Sequence, residues 1–171
     1  MKRSDIKTIP EYFDRYINEV EDIELNDALN KYGPEMFIKE KRNLELIGDK
    51  IYAAGKWTIK DILQHLIDTE RIFCYRALRF ARNDKTTLPG FDENYYAETA
   101  SANERSVHEI LKEYSSVRNS AVTLFNSFNK DALHNEGLCF DKNISVLAMG
   151  FVLAGHPIHH LNVIRERYYD L

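Results

Sequence analysis

Apolar residues recur at steps of three and four along most of the chain, and the strict alternation of a half-buried strand is almost absent. The strongest stripe of this kind follows Trp57 and consists of Ile59, Ile62, Leu63, Leu66, Phe73, Ala77 and Phe80. Thr58 suits the N-cap position, because Asp61 follows three residues later as in a capping box. The pattern predicts a long helix from Thr58 to about Asn83.

Two further long helices are predicted in the second half of the chain. Residues 107–128 keep the helical period. Ser145 opens a last helix over about 145–168, whose apolar residues lie nearly all round it, which predicts burial on several sides. Because the apolar pattern continues through Pro157, a continuous helix kinked there is favoured over a helix that breaks at Gly155.

The N-terminal part of the chain predicts shorter helices. Residues 25–37 carry a helical stripe that the Gly33-Pro34 pair bends or restarts, and a short helix precedes it near residues 11–20. Together with the long helices, this predicts an all-α fold. The expected architecture is a four-helix bundle with an additional short N-terminal helix, in a single domain over residues 1–171.

Two stretches between the helices lack the period. Residues 84–103 carry Pro89 and Gly90 and are predicted to form a loop of about 20 residues, a length that often signals function. Residues 129–143 are predicted to be a turn region.

Composition and charge exclude several classes of protein. A chain of 171 residues, 44% of them hydrophobic, is long enough for one domain with a substantial core. Its 23 basic and 27 acidic residues give a net charge of −4, without the basic stripe that phosphate binding requires. Nucleic-acid binding is therefore not expected.

The N-terminus has no recognisable targeting signal. It is charged and interrupted by Pro10, and no window of the chain approaches the roughly 20 apolar residues that span a bilayer. We therefore expect a cytoplasmic protein without a membrane segment. Cys74 and Cys139 stand far apart and are predicted to be small buried side chains rather than reactive thiols.

Three of the six histidines lie within the sequence "GHPIHH". His156 and His160 stand four residues apart, so they share the inward face of the last helix in a chelating arrangement. His159 lies about 100° from His160 around the helix and does not easily join them. A zinc-type or nickel-type site needs at least one more protein ligand than this pair supplies.

The other three histidines differ in their predicted surroundings. His108 and His134 are expected to face water. His65 lies at the border of the apolar stripe, where a half-buried imidazole needs a polar partner. It is either an ordinary core-edge histidine bonded to a carbonyl or carboxylate, or a third ligand that reaches His156 and His160 across the bundle.

The chain resembles the DinB-like superfamily, in particular its YfiT-like branch of metal-dependent hydrolases. The resemblance runs from about Ile9 to the C-terminus, and two motifs in order carry it. The first is "KWT" at the entry into a helix that bears a histidine, and the second is the late "GHPIHH". The family's usual pattern has a polar or acidic residue at the position of Pro157.

The resemblance implies a four-helix bundle that binds a divalent metal ion, most often nickel or zinc. Matched residue by residue, the ligands are His65, His156 and His160, with His159 outside the triad. The family includes transferases that use low-molecular-weight thiols such as bacillithiol, mycothiol and glutathione, so a thiol is a possible co-substrate. The family's name implies no DNA binding.

Three neutral imidazoles leave a bound ion its full charge and at least one open position. The two expected reactions of a small-molecule substrate are therefore hydrolysis and attack by a thiol. Asp61, Asp68 and Glu70 share the helix of His65, but none is identifiable as a general base. Asp61 or Asp68 is expected to orient His65.

Several roles remain open from the sequence. Arg167 lies on the face of His160 and either steers an anionic substrate or is a surface residue at a helix C-terminus. Trp57, Tyr95 and Tyr96 either line a pocket mouth or pack. The alternative to an enzyme is a helical scaffold or dimerisation protein with a structural or degenerate metal site, and a homodimer is possible in either case.

Overall fold

Most of the apolar stripes fold as helices. The computed structural model describes residues 1–139 and 141–171. The first helices are α1 (Asp14–Ile17), α2 (Leu25–Lys31), α3 (Pro34–Ile38), α4 (Lys41–Ile47) and α5 (Ile59–Ala81). They are followed by α6 (Glu93–Thr99), α7 (Val107–Asn126), α8 (Lys130–His134), the strands β1 (Glu136–Cys139) and β2 (Lys142–Ser145), and α9 (Val146–Arg167). The chain is thus mostly helical, as predicted.

The three long helices begin where their capping residues place them. The Thr58 hydroxyl accepts a hydrogen bond from the Asp61 amide at 3.1 Å, and the Asp61 carboxylate accepts one from the Thr58 amide at 2.9 Å. Ser106 and Glu109 form the same reciprocal box at the start of α7. Ser145 caps α9 by accepting from the Ala148 amide. These contacts satisfy amides that have no partner inside the helix.

The core consists of two apolar clusters that both involve α9. The first packs around residues 146–154 of α9 and includes Phe73 and Phe80 of α5. The second packs around Leu161 and Ile164 of α9. Residues 156–160, which hold three histidines, lie between the two clusters. By length and composition α9 could cross a membrane, but 72% of its apolar window is buried inside the protein, as in a core helix.

The fourth member of the bundle is broken into pieces. The predicted helix over residues 25–37 ends at Lys31 and restarts at Pro34. Proline suits the first turn of a helix, where an amide would lack a helical partner in any case. α4 was not predicted, and the N-terminal helix expected near residues 11–20 is the single turn α1.

Both stretches predicted as irregular contain short elements. Within residues 84–103, α6 begins beside Asp92, whose carboxylate accepts from the amides of Asn94 and Tyr95 at 3.0 and 3.1 Å. Within residues 129–143 lie α8 and β1, and β2 begins there too. The two strands pair antiparallel, with Glu136 opposite Ser145 and Cys139 opposite Lys142. The predictions of an irregular loop over residues 84–103 and an irregular turn region over residues 129–143 were therefore wrong. Elements of four to seven residues are too short to show a helical or strand period in the sequence.

Pro157 lies inside α9, which runs through it without a break, as predicted. Because proline has no N–H, the carbonyl of Leu153 loses its usual helical partner. Arg118 of α7 supplies a replacement, since its Nη2 donates to the Leu153 oxygen at 2.9 Å. The helix therefore tolerates an interior proline without leaving a buried carbonyl unpaired.

The same arginine forms a buried ion pair. Arg118 Nε and Nη2 donate to the two carboxylate oxygens of Glu70 at 2.7 and 2.8 Å, and the two side chains are 5% and 2% exposed. Its Nη1 also donates to the carbonyls of Leu29 and Tyr32. Although burial lowers it, the Glu70 carboxylate raises the pKa of Arg118 above its usual value. The pair joins α2, α5, α7 and α9.

Replacing Pro157 with alanine tests this account of α9. An interior proline ordinarily costs a helix about 3 kcal/mol relative to alanine. We expect Pro157→Ala to stabilise the protein by no more than about 1 kcal/mol, because Arg118 already satisfies the Leu153 carbonyl. Urea denaturation measures the difference, and a gain near the full value for an unsatisfied proline would contradict the role given to Arg118.

Candidate metal centre

Three histidine rings from two helices converge at the gap between the apolar clusters. His65 comes from α5, and His156 and His160 come from successive turns of α9. The Nε2 atom of His156 lies 3.1 Å from Nε2 of His65 and 2.9 Å from Nε2 of His160. The ligating nitrogens of all three lie within 4.8 Å of one another. The His65 ring thus lies beside the α9 pair.

The two Nε2–Nε2 separations at His156 fit nitrogen ligands of one metal ion. Two nitrogens that each lie about 2.0–2.1 Å from zinc, at an angle of about 90–110°, are about 2.9–3.4 Å apart. Hydrogen bonding explains the cluster less well. The Nε2 of His156 carries either one proton or one lone pair, so it cannot form a well-directed bond to both neighbours.

Burial keeps the three rings in the form that binds metal. It lowers the pKa of His65 to about 4, since the charged imidazolium is poorly solvated there. Burial and then the neighbouring rings lower the pKa of His156 and His160 well below the usual value. All three imidazoles are therefore neutral at pH 7, with lone pairs available.

Gly155 allows a close packing of α1 against the cluster. A β-carbon at Gly155 would collide with the backbone carbonyl of Tyr16. The Tyr16 ring therefore reaches the histidines, with centroid distances of 4.9 Å to His156 and 5.3 Å to His159. His159 faces Tyr16 and does not belong to the converging set, as its position around the helix predicted.

The cluster forms one wall of a pocket of about 240 Å³. Aromatic rings supply much of the rest, and Trp57 packs 4.8 Å from the His65 ring. Further lining residues include Tyr12, Phe13, Arg15, Thr69, Phe73, Arg76, Phe91, Glu93 and Val152. The imidazoles thus border a space large enough for a small molecule, which a purely structural metal site does not need.

Several residues singled out in the sequence lie elsewhere. Asp61 accepts from Thr58 and Asn103, and Asp68 accepts from Gln64. In the part of the chain that the structure describes, neither is hydrogen-bonded to His65, so the orienting role expected of them is not observed.

The predicted pocket residues are also partly revised. Arg167 is exposed and does not line the pocket, whereas Arg15 and Arg76 do. Trp57 borders the pocket, but the exposed Tyr95 and Tyr96 do not. Nothing in the sequence pointed to Arg15 or Arg76. The packing of α1 against α9, and the contact of Pro89 with Arg76 of α5, bring them to the pocket.

The protein's own cysteines do not supply a nucleophile. Cys139 is buried and Cys74 is half-buried, close to the prediction. Burial raises the pKa of Cys74 to about 12 and raises that of Cys139 as well. Both are therefore thiols at neutral pH, whereas the reactive form is the thiolate.

The fold and the site define a helical bundle with three histidines facing a pocket. The family model of the DinB superfamily matches residues 12–164. The chain belongs to the DinB superfamily.

Among solved structures, YfiT from Bacillus subtilis superposes with a TM-score of 0.62 at 16% sequence identity. The match covers 94% of this chain and 90% of that one, and YfiT is described as a probable metal-dependent hydrolase with an unusual four-helix bundle topology. This likeness shows the shared fold. A comparison with curated proteins gave no match.

Proposed function

We propose that the protein is a metal-dependent hydrolase of small molecules. The observation that carries this proposal is the convergence of three neutral imidazole nitrogens on the wall of an open pocket. His65, His156 and His160 would hold a divalent ion, nickel or zinc, through their Nε2 atoms. Because all three ligands are neutral, the ion would keep its full positive charge.

The rest of the pocket supports chemistry beside the histidines. An ion bound there would supply a bound water of lowered pKa, or a bound thiolate, as the attacking group. Trp57 and Phe73 present apolar rings that exclude bulk water and hold the substrate's apolar part. The description of YfiT, which shares the fold, is consistent with this proposal.

Thiol transfer is the second candidate, and one feature of the pocket favours it. Glu93 is the only carboxylate among the described lining residues, so a general base close to the histidines is not evident. A thiol bound as thiolate needs no base to deprotonate it at the moment of attack. The scaffold alternative is less well supported. Structural zinc sites are usually closed by four protein ligands, whereas three candidate ligands converge here among the described residues.

A reaction panel tests the proposal. The protein, purified without a histidine tag, would be treated with chelator and then reloaded with nickel or zinc. Chromogenic esters are assayed alone, and chromogenic electrophiles are assayed with each of several low-molecular-weight thiols. We expect ester hydrolysis that chelator abolishes, that one of the two metals restores, and that His160→Gln removes.

The matched control is His108→Gln, which changes an exposed histidine hydrogen-bonded to Lys41 on the surface. It should retain full activity. Turnover that requires a thiol would favour transfer over hydrolysis. The absence of metal-dependent turnover with every ester and thiol would refute the enzyme proposal.

A further inference from the structure

A buried arginine lies at the other end of the pocket from the metal centre. Arg76 is only 4% exposed, although its guanidinium remains charged at all physiological pH values. Its Nη2 donates to the Pro89 carbonyl at 2.6 Å. The rings of Phe73 and Phe91 lie 5.4 and 5.8 Å from its Cζ. The charge is thus contacted by one carbonyl and by aromatic rings.

No carboxylate forms an ion pair with Arg76 within residues 1–139 and 141–171. The contrast with Arg118 is direct, since that buried guanidinium is paired with both oxygens of Glu70. Burying a charge without a counter-ion is costly, so such groups are normally paired. Burial also lowers the pKa of Arg76. The unpaired charge needs an explanation, and it lines the pocket.

Thr69 is a second buried polar group in the pocket whose bonding is incomplete. It lies one helical turn beyond His65 on α5 and is 5% exposed, and its Oγ1 has no hydrogen-bond partner among the residues that the structure describes. Buried hydroxyls nearly always have one. Three pocket-lining residues share one face of α5, namely His65, Thr69 and Arg76. At a rise of 1.5 Å per residue, about 16 Å of helix separates His65 from Arg76.

We propose that the pocket binds an elongated small molecule that carries a carboxylate, which pairs with Arg76. Its apolar middle lies against Phe73 and Phe91, its other end faces the histidines, and a polar atom near the middle bonds to Thr69. The planar guanidinium matches a carboxylate through two parallel hydrogen bonds. This inference rests on the proposed function, because it names the substrate class of the same site.

A single negative charge fits the surroundings better than a double one. Arg76 is the one buried cation among the described lining residues, because the other arginine, Arg15, is exposed and donates to the Tyr12 carbonyl. Glu93 also lines the pocket and repels additional negative charge. A carboxylate is therefore favoured over a phosphate dianion.

Isothermal titration calorimetry tests this directly. Butanoate, hexanoate and octanoate, with octan-1-ol and octyl phosphate, are titrated into the protein as purified and again with chelator present. We expect octanoate to bind tighter than octan-1-ol by about tenfold or more, since charge-assisted hydrogen bonds are among the strongest. Arg76→Met should remove that preference, and Arg76→Lys should keep part of it. Arg82→Met, at the exposed residue that follows the last residue of the same helix, should leave it unchanged.

Thr69→Val supplies a second, independent variant. It removes an unsatisfied hydroxyl, so we expect the free protein to be at least as stable. Octanoate has no polar atom at mid-chain and should bind as it does to the wild type, whereas 5-hydroxyoctanoate, which has one, should bind about threefold more weakly than to the wild type. Equal binding of octanoate by wild type and Arg76→Met, or tighter binding of octyl phosphate, would overturn the assignment. Carboxylate binding that vanishes with chelator would also overturn it, because the carboxylate would then bind at the metal. Binding in chelator that depends on Arg76 supports the inference even if the reaction panel finds no turnover.

Discussion

His65→Ala and His160→Ala are expected to purify almost free of metal, whereas the wild type carries close to one nickel or zinc ion per chain. Each substitution removes one of the three nitrogens that converge there. Losing even an outer-shell partner weakens a metal site about 10–100-fold. Losing a ligand should therefore weaken it by more than about 100-fold. Elemental analysis of tag-free protein, prepared without chelator, measures the occupancy.

His159→Ala is the matched control for this experiment. His159 lies on the same helix, is half-buried and contacts Tyr16, but it stands outside the converging set. It should keep the wild-type metal content. If all three variants retain metal, or if the wild type never holds any, then the ligand assignment is wrong. Circular dichroism of each variant separates metal loss from unfolding.

Arg118→Met and Glu70→Gln should cause the largest losses of stability. Breaking a buried ion pair from one side costs about 3–5 kcal/mol, because the remaining charge is left without a partner. Arg118→Met should lie at the upper end of that range. It leaves the Glu70 carboxylate without its buried counter-ion. It also removes the donor to the Leu153 carbonyl, which has no helical partner because Pro157 lacks an N–H. Urea denaturation gives both free energies of unfolding.

Arg71→Met provides the comparison on the protein surface. Arg71 pairs with Glu113 at 2.7 Å, but its side chain is 51% exposed. Exposed pairs contribute about 0–1 kcal/mol, so this variant should unfold almost as the wild type does. A cost below about 1 kcal/mol for Glu70→Gln would show that the buried pair is no more important than the surface one.

The long helices and the pairing of His156 with His160 were accessible from the sequence because both follow from periodicity. Thr58, Ser106 and Ser145 mark the starts of α5, α7 and α9, and the apolar stripes run for 20 residues or more. The spacing of His156 and His160 places them on one face. Only the resemblance to a family, however, selected His65 as their partner over an ordinary core-edge role.

The features that sequence reasoning missed depend on contacts between distant segments. Glu70 appeared to be one of several carboxylates near His65, but the fold commits it to Arg118, 48 residues away. Nothing local distinguishes Arg76 from the surface arginines of α5. Its burial requires the packing of residues 89–91, which were predicted only as part of a loop. The proline inside α9 is likewise explained by a contact from another helix, since Arg118 of α7 bonds the Leu153 carbonyl.

Trp57 gives the protein a built-in optical reporter. It is the only tryptophan in the chain, and its ring lies 4.8 Å from the imidazole of His65. All tryptophan emission therefore comes from one wall of the pocket, with no background from elsewhere in the fold. A quenching ion such as nickel should lower the emission intensity more than a closed-shell ion such as zinc. The metal bound at the histidine cluster can therefore be distinguished by fluorescence without a label.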